Sequence, residues 1–207
     1  MSKKKIFMPV VHAGSGHWVP AHAVKGSIEK LYPGKYQVDV SDLAKDAGAL
    51  KDDKSLKGGW DFLLKYPFLA RMRYKIMEAL NVSSYVYLRY CASEYLFKGA
   101  EYIKNYNPDI IFTPHMFSFS VATLAREKYN LPIKLIGYIT DPVDACEWWV
   151  DPKMDYILVA SEIARQKLLK QGIREEKIKI FHFPLKEGFS HPVANKEELI
   201  KRYNIDT

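Results

Sequence analysis

The chain has 207 residues, 48% hydrophobic and 27% charged, a size and balance that suit one α/β domain, or one domain plus a short piece of another. Lysine and arginine outnumber aspartate and glutamate by 31 to 24, giving a formal charge of +7; this suits anionic lipid, nucleic acid or phosphate-bearing substrates and selects none of them. Two cysteines, Cys91 and Cys146, exclude a disulfide framework and fit no zinc spacing, and no run reaches the roughly 18 apolar residues of a membrane span.

Residues 5–11 (KIFMPVV) read as a buried first strand, too short and too interrupted by Pro9 for a signal peptide. His12-Ala-Gly-Ser-Gly-His17 is a tight turn, and Pro20 to Leu31 has helical spacing, with Ala21, Val24, Ile28 and Leu31 on one side. Tyr36 to Val40 is a second strand, ending in Asp42. The stretch 46–106 shows no convincing strand. Pro67 begins a helix with a Leu69, Met72, Ile76, Leu80 stripe, Arg71, Arg73 and Lys75 pointing elsewhere, and a second helix spans about 84–105.

Alternation then resumes. Strands are expected at 109–113, 134–140, 155–160 and 178–183; helices at 117–129, at 161–171 behind a Ser161 cap, and from Asn195 to Tyr203. Short buried strands alternating with helices imply an α/β fold, a Rossmann-like parallel sheet covered on both faces.

Four features carry chemistry. Glycines in the Gly14-Ser15-Gly16-His17 turn let the backbone approach a ligand, the following helix supplies free N–H groups, and a histidine there can take a proton from a hydroxyl. A plain strand-to-helix turn explains the same residues equally well. Val19 replaces the third glycine of a GxGxxG pattern, which disfavours a dinucleotide site. Thr140-Asp141-Pro142 ends a strand, where Asp141 either faces a ligand or caps its own turn. The adjacent Trp148 and Trp149 suit sugar or lipid contact, whereas Pro114-His115 is more simply structural. Finally, 57–106 holds eight of the fourteen tyrosines plus Trp60, Phe62, Phe68 and Phe97, with eight Lys/Arg against four Asp/Glu. That mixture suits a lipid interface, with Trp60, Phe62, Arg71, Arg73 and Lys75 as its face; half-buried packing is the plainer alternative.

In this order the motifs resemble the family of monogalactosyldiacylglycerol synthases and processive diacylglycerol glucosyltransferases. The resemblance rests on the Gly14-Ser-Gly16-His17 turn, Pro108-Asp-Ile-Ile111 with Thr113-Pro-His115, Thr140-Asp141 followed by Trp148 or Trp149, Asp155-Tyr-Ile-Leu-Val-Ala-Ser161, and Pro184 to Phe189. Ser15 stands where members carry a middle glycine, Trp18 where a basic residue is common, and no histidine follows Thr140-Asp141 closely.

The resemblance implies the N-terminal, acceptor-side half of a GT-B glycosyltransferase. Residues 1–190 would be the acceptor domain with a helical insertion at about 46–106, and 191–207 the lead-in to a donor domain that the sequence does not include. It further implies an inverting transfer of a hexose from a UDP-sugar to diacylglycerol or a related membrane lipid. His17 would be the general base with Asp141 assisting, and Gly14, Ser15, Gly16, His115, Thr140, Trp148 and Trp149 would line the cleft. No cofactor, metal or nucleic acid is expected. The partners are the lipid, the UDP-sugar and an anionic membrane surface; the location is cytoplasmic, peripheral on the inner face of the cell membrane. A sugar-nucleotide epimerase, a soluble-acceptor transferase on the same fold, and a non-catalytic lipid-binding module remain alternatives.

Overall fold

The computed structural model describes residues 3–80, 83–146, 149–185, 189 and 195–204. Six parallel strands form one sheet in the order β2-β1-β3-β4-β5-β6. They are β1 (Lys4–Val10), β2 (Tyr36–Asp42), β3 (Ile110–Thr113), β4 (Lys134–Ile139), β5 (Tyr156–Val159) and β6 (Ile178–Ile180). Side chains alternate across the sheet as the pleat requires. Ile6, Met8 and Val10 pack with Ala21 and Val38 on one face, and Phe7 packs with Leu96, Ile111 and Leu135 on the other.

Helix α1 (Ser15–Leu31) covers the first face. On the second lie α2 (Leu43–Asp46), α6 (Ser93–Tyr106), α7 (Met116–Tyr129) and α8 (Glu162–Lys170). Gly137 in β4 is a packing requirement of that face, because a Cβ there would lie 2.6 Å from Cζ of Phe119 on α7. The remaining helices are α3 (Leu50–Lys65), α4 (Pro67–Ala79), α5 (Ser84–Cys91) and α9 (Lys196–Tyr203).

Three elements differ from the sequence reading. Helix α1 begins at Ser15 rather than at Pro20, which therefore sits inside it and lacks the N–H that would bond the Gly16 carbonyl. The early start is possible because Gly14 takes φ 118°, a conformation open to glycine. Helix α3 lacks a clear sequence signal because Gly58 and Gly59 weaken its helical pattern. The expected single helix over 84–105 is two, α5 and α6, broken at Ala92 (φ −149°, ψ 54°). Ala92 cannot cap α6; the buried Asp52 carboxylate of α3 accepts from the Tyr95 amide at 2.9 Å instead. This same bond ties α3 to the core.

Candidate active site

In an open parallel sheet, ligands bind beyond the carboxyl ends of the strands, where the strand order reverses. Here β1 is flanked by β2 and β3, so the reversal lies between β1 and β3. The Gly14 turn follows β1, and Thr113-Pro114-His115 follows β3. Helix α1 has no capping side chain and no acidic residue in its first turn, so the amides of Ser15, Gly16 and His17 have no partner within the helix. The sheet brings together two turns about a hundred residues apart in sequence.

His17 is the group they share. Its Nδ1 lies 2.8 Å from the Pro114 carbonyl oxygen. A carbonyl only accepts, so Nδ1 carries the proton and Nε2 holds the lone pair. Thr140 Oγ1 lies 3.4 Å from the same Nδ1. Burial holds the His17 pKa below the ordinary histidine value, partly opposed by the Pro114 hydrogen bond. The side chain is therefore a neutral imidazole of fixed tautomer, the state a general base needs.

Two cavities meet at His17, Trp60, Tyr74 and Met116. The first lies among the glycine turn, α3, α4, α5 and the start of α7. Its wall includes Gly14, Ser15, Gly16, Leu56, Leu63, Arg73, Tyr87, His115 and Phe117. The second runs along the ends of β3 and β4, past Pro114, Tyr138, Thr140, Asp141, Pro142 and Trp149. The first is mostly apolar; the second carries the carboxylate of Asp141.

The anticipated residues fall unevenly into this frame. His115 is buried, and its ring meets that of His17 edge-on at 4.6 Å between centroids. Its Nδ1 is buried without a hydrogen-bond partner among the described residues, and burial followed by proximity to His17 holds its pKa well below the ordinary value. Asp141 lines the second cavity, but its Oδ1 accepts from the amides of Val143 (2.9 Å) and Asp144 (3.0 Å), so it caps its own turn. The bond that orients His17 comes from Pro114, not from Asp141. Trp149 lines the second cavity; Trp148 lies outside the described residues, as do residues 186–188 of the Pro184–Phe189 element.

The expected membrane face divides in two. Phe62, Arg71 and Lys75 are exposed. Trp60 is 38% exposed and also lines both cavities, whereas Arg73 turns inward, its guanidinium 5.2 Å from the Tyr87 ring centroid. Of the stripe expected at Leu69, Met72, Ile76 and Leu80, Leu69 is half-buried but Met72, Ile76 and Leu80 are 45%, 48% and 67% exposed, and Phe68 beside them is 75% exposed. Helix α4 thus presents apolar side chains outward, flanked by Arg71 and Lys75, while Arg73 and Tyr74 on its inner side line a cavity.

Sequence reasoning missed Tyr74, Tyr87, Phe117 and Tyr138, which wall the two cavities. It also missed the Asp42–Lys57 pair. Asp42 accepts from the His12 amide at 3.1 Å and from Lys57 Nζ at 2.6 Å, fixing the loop after β1 to α3. The only signal was an aspartate at a strand end, which is common.

Comparison with known proteins places the chain. The model of the family described as "Monogalactosyldiacylglycerol (MGDG) synthase" matches residues 17–185. A probable chloroplastic monogalactosyldiacylglycerol synthase of Glycine max is 26% identical over 98% of this chain and 38% of its own length. Monogalactosyldiacylglycerol synthase 2 of Arabidopsis thaliana, also chloroplastic, is 22% identical over 98% of this chain and 43% of its own. The chain thus spans about two fifths of the length of the curated relatives it matches. Their chloroplast location overturns the expected placement on the inner face of the cell membrane, which rested on the lack of a signal peptide and of disulfides, features that do not separate these compartments.

Among solved structures, a glycosyltransferase from Rickettsia africae ESF-5 aligns with a TM-score of 0.52 and 16% identity, over all of this chain and 51% of that one. The apo form of the lipopolysaccharide outer core galactosyltransferase WaaB aligns with a TM-score of 0.50 and 15% identity, over 94% and 47%. These likenesses show the fold: a Rossmann-like parallel sheet of the GT-B glycosyltransferase kind. With a family model matching from the glycine-turn histidine to the end of the sheet, the chain belongs to the monogalactosyldiacylglycerol synthase family.

Proposed function

We propose that these residues form the acceptor side of an inverting glycosyltransferase that moves a hexose from a UDP-sugar to diacylglycerol. Galactose is the sugar carried over from the names of the relatives. The observation that carries the reading is His17: a neutral imidazole, Nδ1–H fixed on Pro114, with its lone-pair nitrogen left for a substrate at the junction of two cavities.

In this reading the acceptor hydroxyl enters from the apolar first cavity, and Nε2 of His17 takes its proton as the oxygen attacks the anomeric carbon. Attack from the face opposite the leaving group inverts the anomeric centre. The unpaired amides and positive end of α1 would stabilise charge on the departing diphosphate. Residues outside this sequence would hold most of the nucleotide. Asp141, engaged by its own turn, would act through the shape and charge of the second cavity.

The outer side of α4 favours a lipid over a soluble acceptor. Exposed Phe68, Met72 and Ile76 beside Arg71 and Lys75 form a surface for an anionic bilayer, with α4 lying between that bilayer and the first cavity.

A polypeptide containing this chain at the length of its relatives should convert UDP-galactose and diacylglycerol into a β-linked monogalactosyl lipid. An α-linked product, or transfer to water-soluble acceptors alone, would refute the proposal.

A further inference from the structure

The first cavity has one unbroken aromatic wall. Arg73 on α4 places its guanidinium 5.2 Å from the Tyr87 ring centroid. Tyr87 stacks on Phe117 at 5.3 Å with an interplanar angle of 11°. Phe117 meets His115 at 5.6 Å, and His115 meets His17 at 4.6 Å. All five side chains line the same cavity, with a cation at one end of the wall and the proposed base at the other.

Arg73 is half-buried, and among the described residues no carboxylate pairs with it. A ring contact uses none of the five guanidinium N–H donors as a conventional hydrogen bond, so they can serve another partner. Among the described residues no carboxylate lines this cavity, and both imidazoles are held neutral. Its occupant must therefore bring apolar bulk, a hydroxyl for one end and hydrogen-bond acceptors for the other.

We infer that Arg73 is the specificity-determining residue of the acceptor chamber, donating hydrogen bonds to the ester carbonyl oxygens of an acylglycerol whose free hydroxyl reaches His17. A glycerol with two ester-linked chains carries these groups on adjacent carbons. The ether-linked analogue matches its bulk and hydroxyl but lacks the carbonyls. Guanidinium N–H groups donate to neutral carbonyl oxygens as well as to anions, so a neutral lipid suffices. The inference rests on the proposed lipid acceptor and names what that site reads.

The test uses the 207-residue chain in uncharged detergent micelles, with Trp60 as reporter because it lines the same cavity. Brominated diacylglycerol and its brominated dialkyl ether analogue are titrated while tryptophan quenching is followed. The ester lipid should bind about tenfold more tightly than the ether, the scale of one hydrogen bond to a charged group. Arg73→Gln should bring ester binding down to the ether level, leave ether binding unchanged, and keep the melting temperature of the parent chain.

Ester preference surviving in Arg73→Gln would overturn the inference, as would quenching that persists in Trp60→Phe. Equal binding of both lipids by the parent chain would remove the role of Arg73 and leave the acceptor reading standing. Quenching by neither lipid would remove both. If phosphatidic acid binds far more tightly and Arg73→Gln abolishes only that binding, Arg73 serves a phosphate and the carbonyl assignment is wrong.

Discussion

The ring of His17 meets the ring of His115 edge-on, with centroids 4.6 Å apart, although 98 positions separate them in the chain. One follows β1 and the other follows β3, so the contact exists only because these strands are neighbours in the sheet. Two cationic imidazoles at that distance would repel, and both are held below the ordinary histidine pKa, chiefly by burial. The pair is stable as two neutral rings.

His17→Ala should reduce kcat by about 10² or more in a polypeptide of the relatives' length, the scale of losing a general base. Folding should be little affected, because the ring borders two cavities rather than filling the core and its close hydrogen bond is to a turn carbonyl. A kcat within a few-fold of the parent would make His17 a turn residue.

Stability should fall with acid in a way that depends on His115. Its folded pKa lies well below the unfolded value of about 6.5, so as pH drops past that value the unfolded chain binds a proton that the folded chain does not. Protons then favour unfolding: stability is fully present above about 6.5 and declines below it, down to the depressed folded pKa. Melting temperatures between about pH 7.5 and 5 should show this decline, and His115→Phe should flatten it. An unchanged slope in the variant would assign the acid sensitivity to other groups.

The chain should sediment with vesicles containing phosphatidylglycerol, less with neutral ones, and release as salt rises. Arg71→Glu with Lys75→Glu should abolish most of the anionic preference, each cation being worth about 1 kcal/mol at such a surface. Phe68→Ser should weaken binding to both vesicle types, because Phe68 is 75% exposed and supplies apolar area rather than charge. Full binding by the charge-reversed variant would remove α4 from the interface.

Gly137→Ala should destabilise the chain by about 1–3 kcal/mol, the usual range for overpacking a core. The added Cβ would meet Phe119 Cζ at 2.6 Å and force α7 away from β4. Because α7 starts at Met116, beside the site, the same substitution should weaken lipid binding beyond its effect on stability. A melting temperature equal to the parent's would show that Phe119 can turn aside.

By itself the sequence determined the strands, their alternation with helices and the glycine turn that carries His17. Buried parallel strands announce themselves by short runs of β-branched and apolar residues between turn signals, a pattern held within a few neighbouring positions. The tertiary structure decided which way side chains face and what each polar atom meets. Phe68, Met72 and Ile76 have core spacing yet point outward, because α4 turns its other side inward, where Tyr74 meets Trp149 and Arg73 meets Tyr87. Asp141 looked like a partner for His17, but two nearby amides claim its carboxylate, and Pro114, from the other side of the sheet's reversal point, sets the tautomer. Helical spacing fixes which residues share a face; only contacts between distant segments fix which face is buried.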